Sequence, residues 1–170
     1  MITLVLGGAR SGKSEAAERI AGRLPAPVIY VATMSPGTDP DLAARIEAHR
    51  ARRPAHWQTI EVCAGSPAGL PAVLRSAAGS LLLDGLGPWV AASPGMTVDA
   101  RALCDGLTGR AGSTVVVSDE VGLGVHPATE DGRRFRDALG TLNQAVAAVA
   151  DEVLLVVAGR MLRLDPPGGP

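Results

Sequence analysis

Residues Gly7-Gly8-Ala9-Arg10-Ser11-Gly12-Lys13-Ser14 match the phosphate-binding spacing G-x-x-x-x-G-K-[ST] at every fixed position. Ile2 to Leu6 is a short apolar run, and helical spacing opens at Lys13. The pattern therefore sits between a strand and a helix, the context in which it binds phosphate. Glycines let the backbone curl so that successive N–H groups face one concavity. The helix that follows aims the positive end of its dipole at the same point. Lys13 has the reach for the terminal phosphates of a nucleotide, and the Ser14 hydroxyl suits a Mg²⁺ that bridges two of them. The chain has 15 arginines and one lysine, and that lysine is Lys13. A slim ammonium point charge fits this position where a planar guanidinium does not.

At 170 residues the chain is long enough for one domain with its own core. We assign that domain to residues 1–164 and expect 165–170 to be a disordered tail. A net charge of −1 gives no electrostatic case for nucleic acid or an anionic membrane. Aromatics at 2% leave no stacking platform for single strands. Cys63 and Cys104 are isolated, as expected of small hydrophobes in a reducing compartment rather than of zinc or disulfide sites. Met1 leads straight into the first strand, and no apolar run reaches membrane-spanning length. A cytoplasmic location is the expectation.

Helical spacing predicts a first helix from Ser14 to Leu24, with Ala17, Ile20, Ala21 and Leu24 on one face. Val28 to Ala32 is a continuous apolar run, the mark of a parallel strand covered on both sides. Thr33 to Pro40 is turn-rich and lies at the ligand edge of the sheet. Asp39 or Asp41 can cap a helix running to about Arg53. Strands are further expected at Trp57–Val62, Ser80–Asp84, Thr114–Ser118 and Val153–Val157, the last pairing with Met161–Leu164 as a hairpin. Helices are expected at Pro67–Ala78, at Val98–Arg110, and from a Thr129 cap to about Ala150. Phe135, Leu139, Leu142, Val146 and Val149 fall on the inner face of that last helix. The alternation argues an α/β three-layer sandwich with a mainly parallel sheet.

Asp84 closes an apolar strand well downstream of the loop, where such folds place the carboxylate that supports Mg²⁺; its alternative is a helix cap. Leu42, Ile46 and His49 share a helical face, with Arg45, Arg50, Arg52 and Arg53 close by. Four cations can grip a polyphosphate, and they lower the pKa of His49 and keep its imidazole neutral and nucleophilic. Residue types alone favour a partly buried structural role for that histidine over a catalytic one. Glu120 follows a buried strand and either meets substrate or caps its loop; Glu61 closes the Trp57–Val62 strand. A packing or hydrogen-bonding role suits His56, while His126, in the loop before Pro127, has no task fixed by its position.

The stretches GGARSGKS, VATMS, ARIEAHRARRPAHW, SDEVGLGVHP and FRDALGTLNQAVAAVADEV together resemble the bifunctional adenosylcobinamide kinase / adenosylcobinamide-phosphate guanylyltransferase family of cobalamin biosynthesis. The likeness runs from Met1 to about Leu164. It implies a P-loop NTPase fold of the RecA-like branch, assembly as a homotrimer, and two reactions at one nucleotide site. First, ATP or GTP phosphorylates adenosylcobinamide. GTP then transfers GMP to a histidine, which falls on His49, and the substrate phosphate takes it up to give adenosylcobinamide-GDP. The resemblance carries nucleotide contacts to Gly7, Gly8, Ala9, Arg10, Ser11, Gly12, Lys13 and Ser14, to Thr33, Met34 and Ser35, to Arg50, Ala51, Arg52 and Arg53, and to Glu61 and Asp84. Lys13 and His49 are the candidate catalytic residues, and Ser14 and Asp84 the candidate Mg²⁺ ligands. Two departures stand out: Gly85 and Gly87 replace a thiol and a hydroxyl common in relatives, and Ala48 replaces the first of a histidine pair. A single-activity P-loop small-molecule kinase and a nucleotide-gated regulatory or binding subunit are the alternative functions.

Overall fold

The computed structural model describes residues 1–34, 47, 50–51, 53–62 and 69–168. Among the described residues, seven strands form one sheet in the order β3-β2-β4-β5-β1-β6-β7. They are β1 (Ile2–Gly7), β2 (Val28–Ala32), β3 (Gln58–Glu61), β4 (Ser80–Asp84), β5 (Thr114–Asp119), β6 (Glu152–Val157) and β7 (Arg160–Leu164). The first six in that order run parallel, and β7 returns antiparallel on β6. The described helices are α1 (Lys13–Ala21), α2 (Gly69–Ser76), α3 (Leu86–Ala92), α4 (Ala100–Thr108) and α5 (Glu130–Val149), with a 3₁₀ turn at Pro94–Met96.

The parallel strands are apolar throughout because both faces are covered. Alternate residues feed two cores. Leu4, Ile29, Val31, Leu81, Leu83 and Val116 pack with Leu70, Trp89, Leu103 and Leu139 of the α2–α5 layer. Val5, Val28, Tyr30, Leu82, Val115 and Val117 pack with Ala16, Ala17 and Ala21 of α1. Two-residue periodicity then determines what stands at the strand ends. Asp84 shares the α1 face with Leu82, and Asp119 shares it with Val117. Both carboxylates therefore come to the side from which the phosphate loop enters its helix.

The expected elements are present with trimmed ends. Helix α1 stops at Ala21 rather than Leu24, where Gly22 and the following turn release the chain, although Ile20 and Leu24 still pack on the core. Helix α4 covers Ala100–Thr108 rather than 98–110, because Asp99 caps it by accepting from the Ala102 amide at 2.8 Å. Thr129 caps α5 by accepting from Gly132. Helix α3 was not expected. Gly85-Leu86-Gly87-Pro88 has loop composition, yet Pro88 falls in the first turn, where it removes no intrahelical bond. The expected helix up to Arg53 falls mostly outside the described residues, within which Glu47, Arg50 and Ala51 are helical. Cys63 also lies outside them. Cys104 is half-buried, and burial pushes its thiol pKa up.

Arg110 holds one end of the sheet to α2. Its guanidinium donates to the carbonyls of Leu74 (2.8 Å), Ala77 (2.7 Å) and Gly79 (2.7 Å) and to Thr114 Oγ1 (3.2 Å). Arg110→Ala strands several of these acceptors at once. Its expected cost is about 2–3 kcal/mol, read as a drop in Tm of on the order of 5–10 °C.

Candidate nucleotide site

The loop between β1 and α1 has the backbone that a phosphate cup requires. Gly12, the residue before the helix, is left-handed at φ 91°, and no side chain caps the first turn of α1. Its leading N–H groups therefore face outward for an anion. Gly7 has no room for a side chain, since a Cβ there would collide with the Ser11 hydroxyl and the Val156 carbonyl. Gly159 of the β6–β7 turn donates its amide to the Ser11 carbonyl at 2.8 Å and braces the loop. The Ser11 hydroxyl is buried without a protein partner, as suits a loop whose polar groups a phosphate completes.

Lys13 Nζ reaches the Gly8 carbonyl at 3.2 Å and Asp119 Oδ1 at 2.8 Å. Asp119 is itself held by its backbone. Asn143 donates to its carbonyl at 2.9 Å and accepts from the buried Ser118 hydroxyl at 2.6 Å, tying α5 to the end of β5. Ser14 Oγ lies 3.4 Å from Asp84 Oδ1, and the Tyr30 hydroxyl donates to Asp84 Oδ2. Burial, then the Asp84 charge, raises the Tyr30 pKa far above its usual value, so the phenol remains a donor. A cavity of about 340 Å³ opens over these groups, bounded also by Met34, Arg53 and Gly85.

A second cavity of about 360 Å³ is lined by Arg50, Arg53, Pro54, Trp57, Thr59 and Glu61. Here Arg50 pairs with Glu47 at 2.8 Å and Glu61 at 2.6 Å, and these carboxylates push its pKa up. Arg53 lines both cavities, and its guanidinium carbon sits 3.3 Å from the centroid of the Tyr30 ring. That stack is a cation–π contact.

The sequence-predicted residues thus fall into groups. Arg10, Ser11, Gly12, Lys13, Ser14, Met34, Arg53 and Asp84 line the first cavity, while Arg50 and Glu61 line the second. Gly7, Gly8 and Ala9 shape the loop. Thr33 is buried, and its hydroxyl donates to the Asp84 and Gly85 carbonyls, clamping the ends of β2 and β4 together. Ala51 is an exposed helical residue. Ser35, Arg52 and His49 lie outside the described residues. Glu120 caps its own loop, accepting from the amides of Gly122 and Leu123. His126 is exposed and paired with Arg136, and His56 is exposed rather than packed. Sequence reasoning missed Tyr30 and Asp119. A signal for Asp119 was present, since TVVVSD ends in an acid just as SLLLD does.

The Gly87 departure also has a physical side. A Cβ at that position would stand 2.5 Å from Asp119 Oδ2. The missing side chain leaves the space that this carboxylate uses.

A phosphate-loop strand separated from the acid-ending β4 by one inserted strand, with an uncapped helix and a lysine–serine pair at its edge, defines a P-loop NTPase fold of the RecA-like kind. An ATPase from a type III secretion system of pathogenic bacteria has the same fold, with a TM-score of 0.56 at 10% identity over 91% of this chain and 50% of that one. Residues 3–164 match the family described as cobinamide kinase / cobinamide phosphate guanyltransferase, and the chain belongs to that family. It is 42% identical to the bifunctional adenosylcobalamin biosynthesis protein CobP of Pseudomonas aeruginosa, over 94% of each chain. It is 38% identical to the corresponding CobU protein of Salmonella typhimurium, over 94% of this chain and 97% of that one. The kinase and guanylyltransferase activities named for the family are those that the sequence resemblance implied, and they supersede the single-activity and regulatory alternatives.

Proposed function

We propose that one nucleotide cup serves both transfers, with adenosylcobinamide as the acceptor. The observation that carries this reading is the convergence of Lys13, Ser14 and Asp84 on one cavity above an uncapped helix. In the kinase step the first-turn amides of α1 and Lys13 hold the polyphosphate of ATP or GTP. They stabilise the charge that spreads over the transferred phosphoryl group. In the second step the neutral imidazole of His49 attacks the α-phosphorus of GTP. A P–N bond forms as the bond to pyrophosphate breaks; the phosphate oxygen of the substrate then attacks, the P–N bond breaks, and adenosylcobinamide-GDP leaves. Arg50, Arg52 and Arg53 follow His49 in the chain, and their charge suits the anionic transition state. Arg53 supports this role by lining both cavities.

Ser14 and Asp84 fit Mg²⁺, being a hydroxyl and a carboxylate within 3.4 Å of each other beside the phosphate cup. Among the described residues no cluster of three or more His, Cys, Asp or Glu offers an all-protein metal cage, which suits an ion completed by phosphates and water. When bound there, Mg²⁺ would neutralise phosphate charge. The reading extends to a cytoplasmic enzyme that uses small-molecule substrates and no nucleic acid. No described helix is long and apolar enough to cross a membrane. It also extends to a homotrimer, for which the exposed Leu123, Val125, Met161 and Leu162 offer apolar surface.

Incubation with α-labelled GTP tests the covalent step. The expected result is an acid-labile label on the protein that moves to product when adenosylcobinamide phosphate is added. Phosphorylated cobinamide without any protein-bound label would reject the histidine intermediate.

A further inference from the structure

Tyr30 lies in the middle of β2 on the α1 face, outside the phosphate loop, and is 2% exposed. Packing explains its ring but not its hydroxyl, since phenylalanine would fill the same volume. The hydroxyl donates to Asp84 Oδ2, while Ser14 Oγ stands 3.4 Å from Oδ1. The two oxygens of one carboxylate are thus divided between a buried donor behind it and the phosphate-loop serine in front. A carboxylate free to rotate about its terminal bond would present either oxygen to a ligand. A donor locked in the core removes that freedom, as the supporting shell of a metal site does. The face of the same ring carries Arg53, the residue common to both cavities.

We propose that Tyr30 is a positioning residue for the transferase site: its hydroxyl fixes the Asp84 carboxylate so that Oδ1 faces Ser14 and a divalent cation, and its ring seats Arg53 between the two cavities. This rests on the reading of Ser14 and Asp84 as the cation pair. Register supports the placement, because Tyr30 pairs with Leu82 and Ala32 with Asp84, which puts the phenol two residues back on the same face as the carboxylate.

The test is Mn²⁺ binding to the full-length protein saturated with GDP, followed by electron paramagnetic resonance, alongside GDP binding in EDTA by calorimetry. Tyr30→Phe is expected to weaken Mn²⁺ binding about tenfold, the scale of losing a supporting contact in a metal site, with GDP binding in EDTA unchanged. Tyr30→Leu, which also removes the stack, is expected to weaken GDP binding in EDTA as well. In a double-mutant cycle, Tyr30→Phe is expected to add nothing to Asp84→Asn, because it acts through that carboxylate. Unaltered Mn²⁺ affinity in Tyr30→Phe, or additive losses in the cycle, would overturn the positioning role while leaving the cation pair standing. Unaltered affinity in Asp84→Asn would overturn the cation pair itself, and the role of Tyr30 with it.

Discussion

His49→Ala is expected to abolish the acid-labile label from α-labelled GTP while cobinamide phosphorylation continues close to the unaltered rate. The two transfers attack different phosphorus atoms. The first passes the terminal phosphoryl group directly to an alcohol and needs no protein nucleophile. The second joins two anionic phosphates, and a covalent stage would split it into two displacements at phosphorus, with the imidazole nitrogen as nucleophile in the first and leaving group in the second. Without the imidazole, GMP transfer is expected to fall by on the order of 10³-fold or more, the scale of removing a nucleophile that acts within a unit. Parallel assays of both steps on one preparation check the split. A parallel loss of both activities in folded protein would mean that residue 49 shapes the nucleotide site rather than carrying the group.

Lys13→Ala is expected to remove both activities together. Its ammonium is mostly shielded, with the side chain 15% exposed, and it spans the mouth of the cup between the Gly8 carbonyl and Asp119. The loss has two parts. A donor aimed at developing phosphate charge is worth on the order of 10²–10³-fold in rate. In addition, the Asp119 carboxylate then faces an incoming polyphosphate with no cation between them. The double variant Lys13→Ala/Asp119→Asn is therefore expected to recover nucleotide binding but not turnover. Lys13→Arg should restore little, because the planar fork cannot follow the path of a single Nζ between two acceptors. Steady-state rates for each step, with GDP affinity by calorimetry, separate these effects.

The fold was legible where one physical signal dominated. The short apolar runs of β1, β2, β4 and β5 read as strands covered on both faces, and Thr129 marked the start of α5. Helix α3 was hidden because Gly85, Gly87 and Pro88 speak locally for a loop, whereas Leu86, Trp89 and Val90 are pinned by burial that only the assembled core supplies. At the site, Lys13, Ser14 and Asp84 could be found because a local pattern and a strand end announce them. Tyr30 could not, since an aromatic in an apolar run carries no sign that its hydroxyl will meet a carboxylate 54 residues away. Thr33 and Glu61, which the resemblance gives as nucleotide contacts, are engaged within the protein, the first with backbone carbonyls and the second with Arg50.

An imidazole beside an arginine-rich segment is expected to take up the nucleotidyl group of a nucleotide held at the Lys13 cup. Peptide mapping by mass spectrometry, after incubation with GTP and quenching in alkali, reads this step on the protein itself. A GMP adduct is expected on the peptide containing His49, and none in Lys13→Ala protein. An adduct on another residue, or GMP transfer to product with no adduct at any stage, would contradict it.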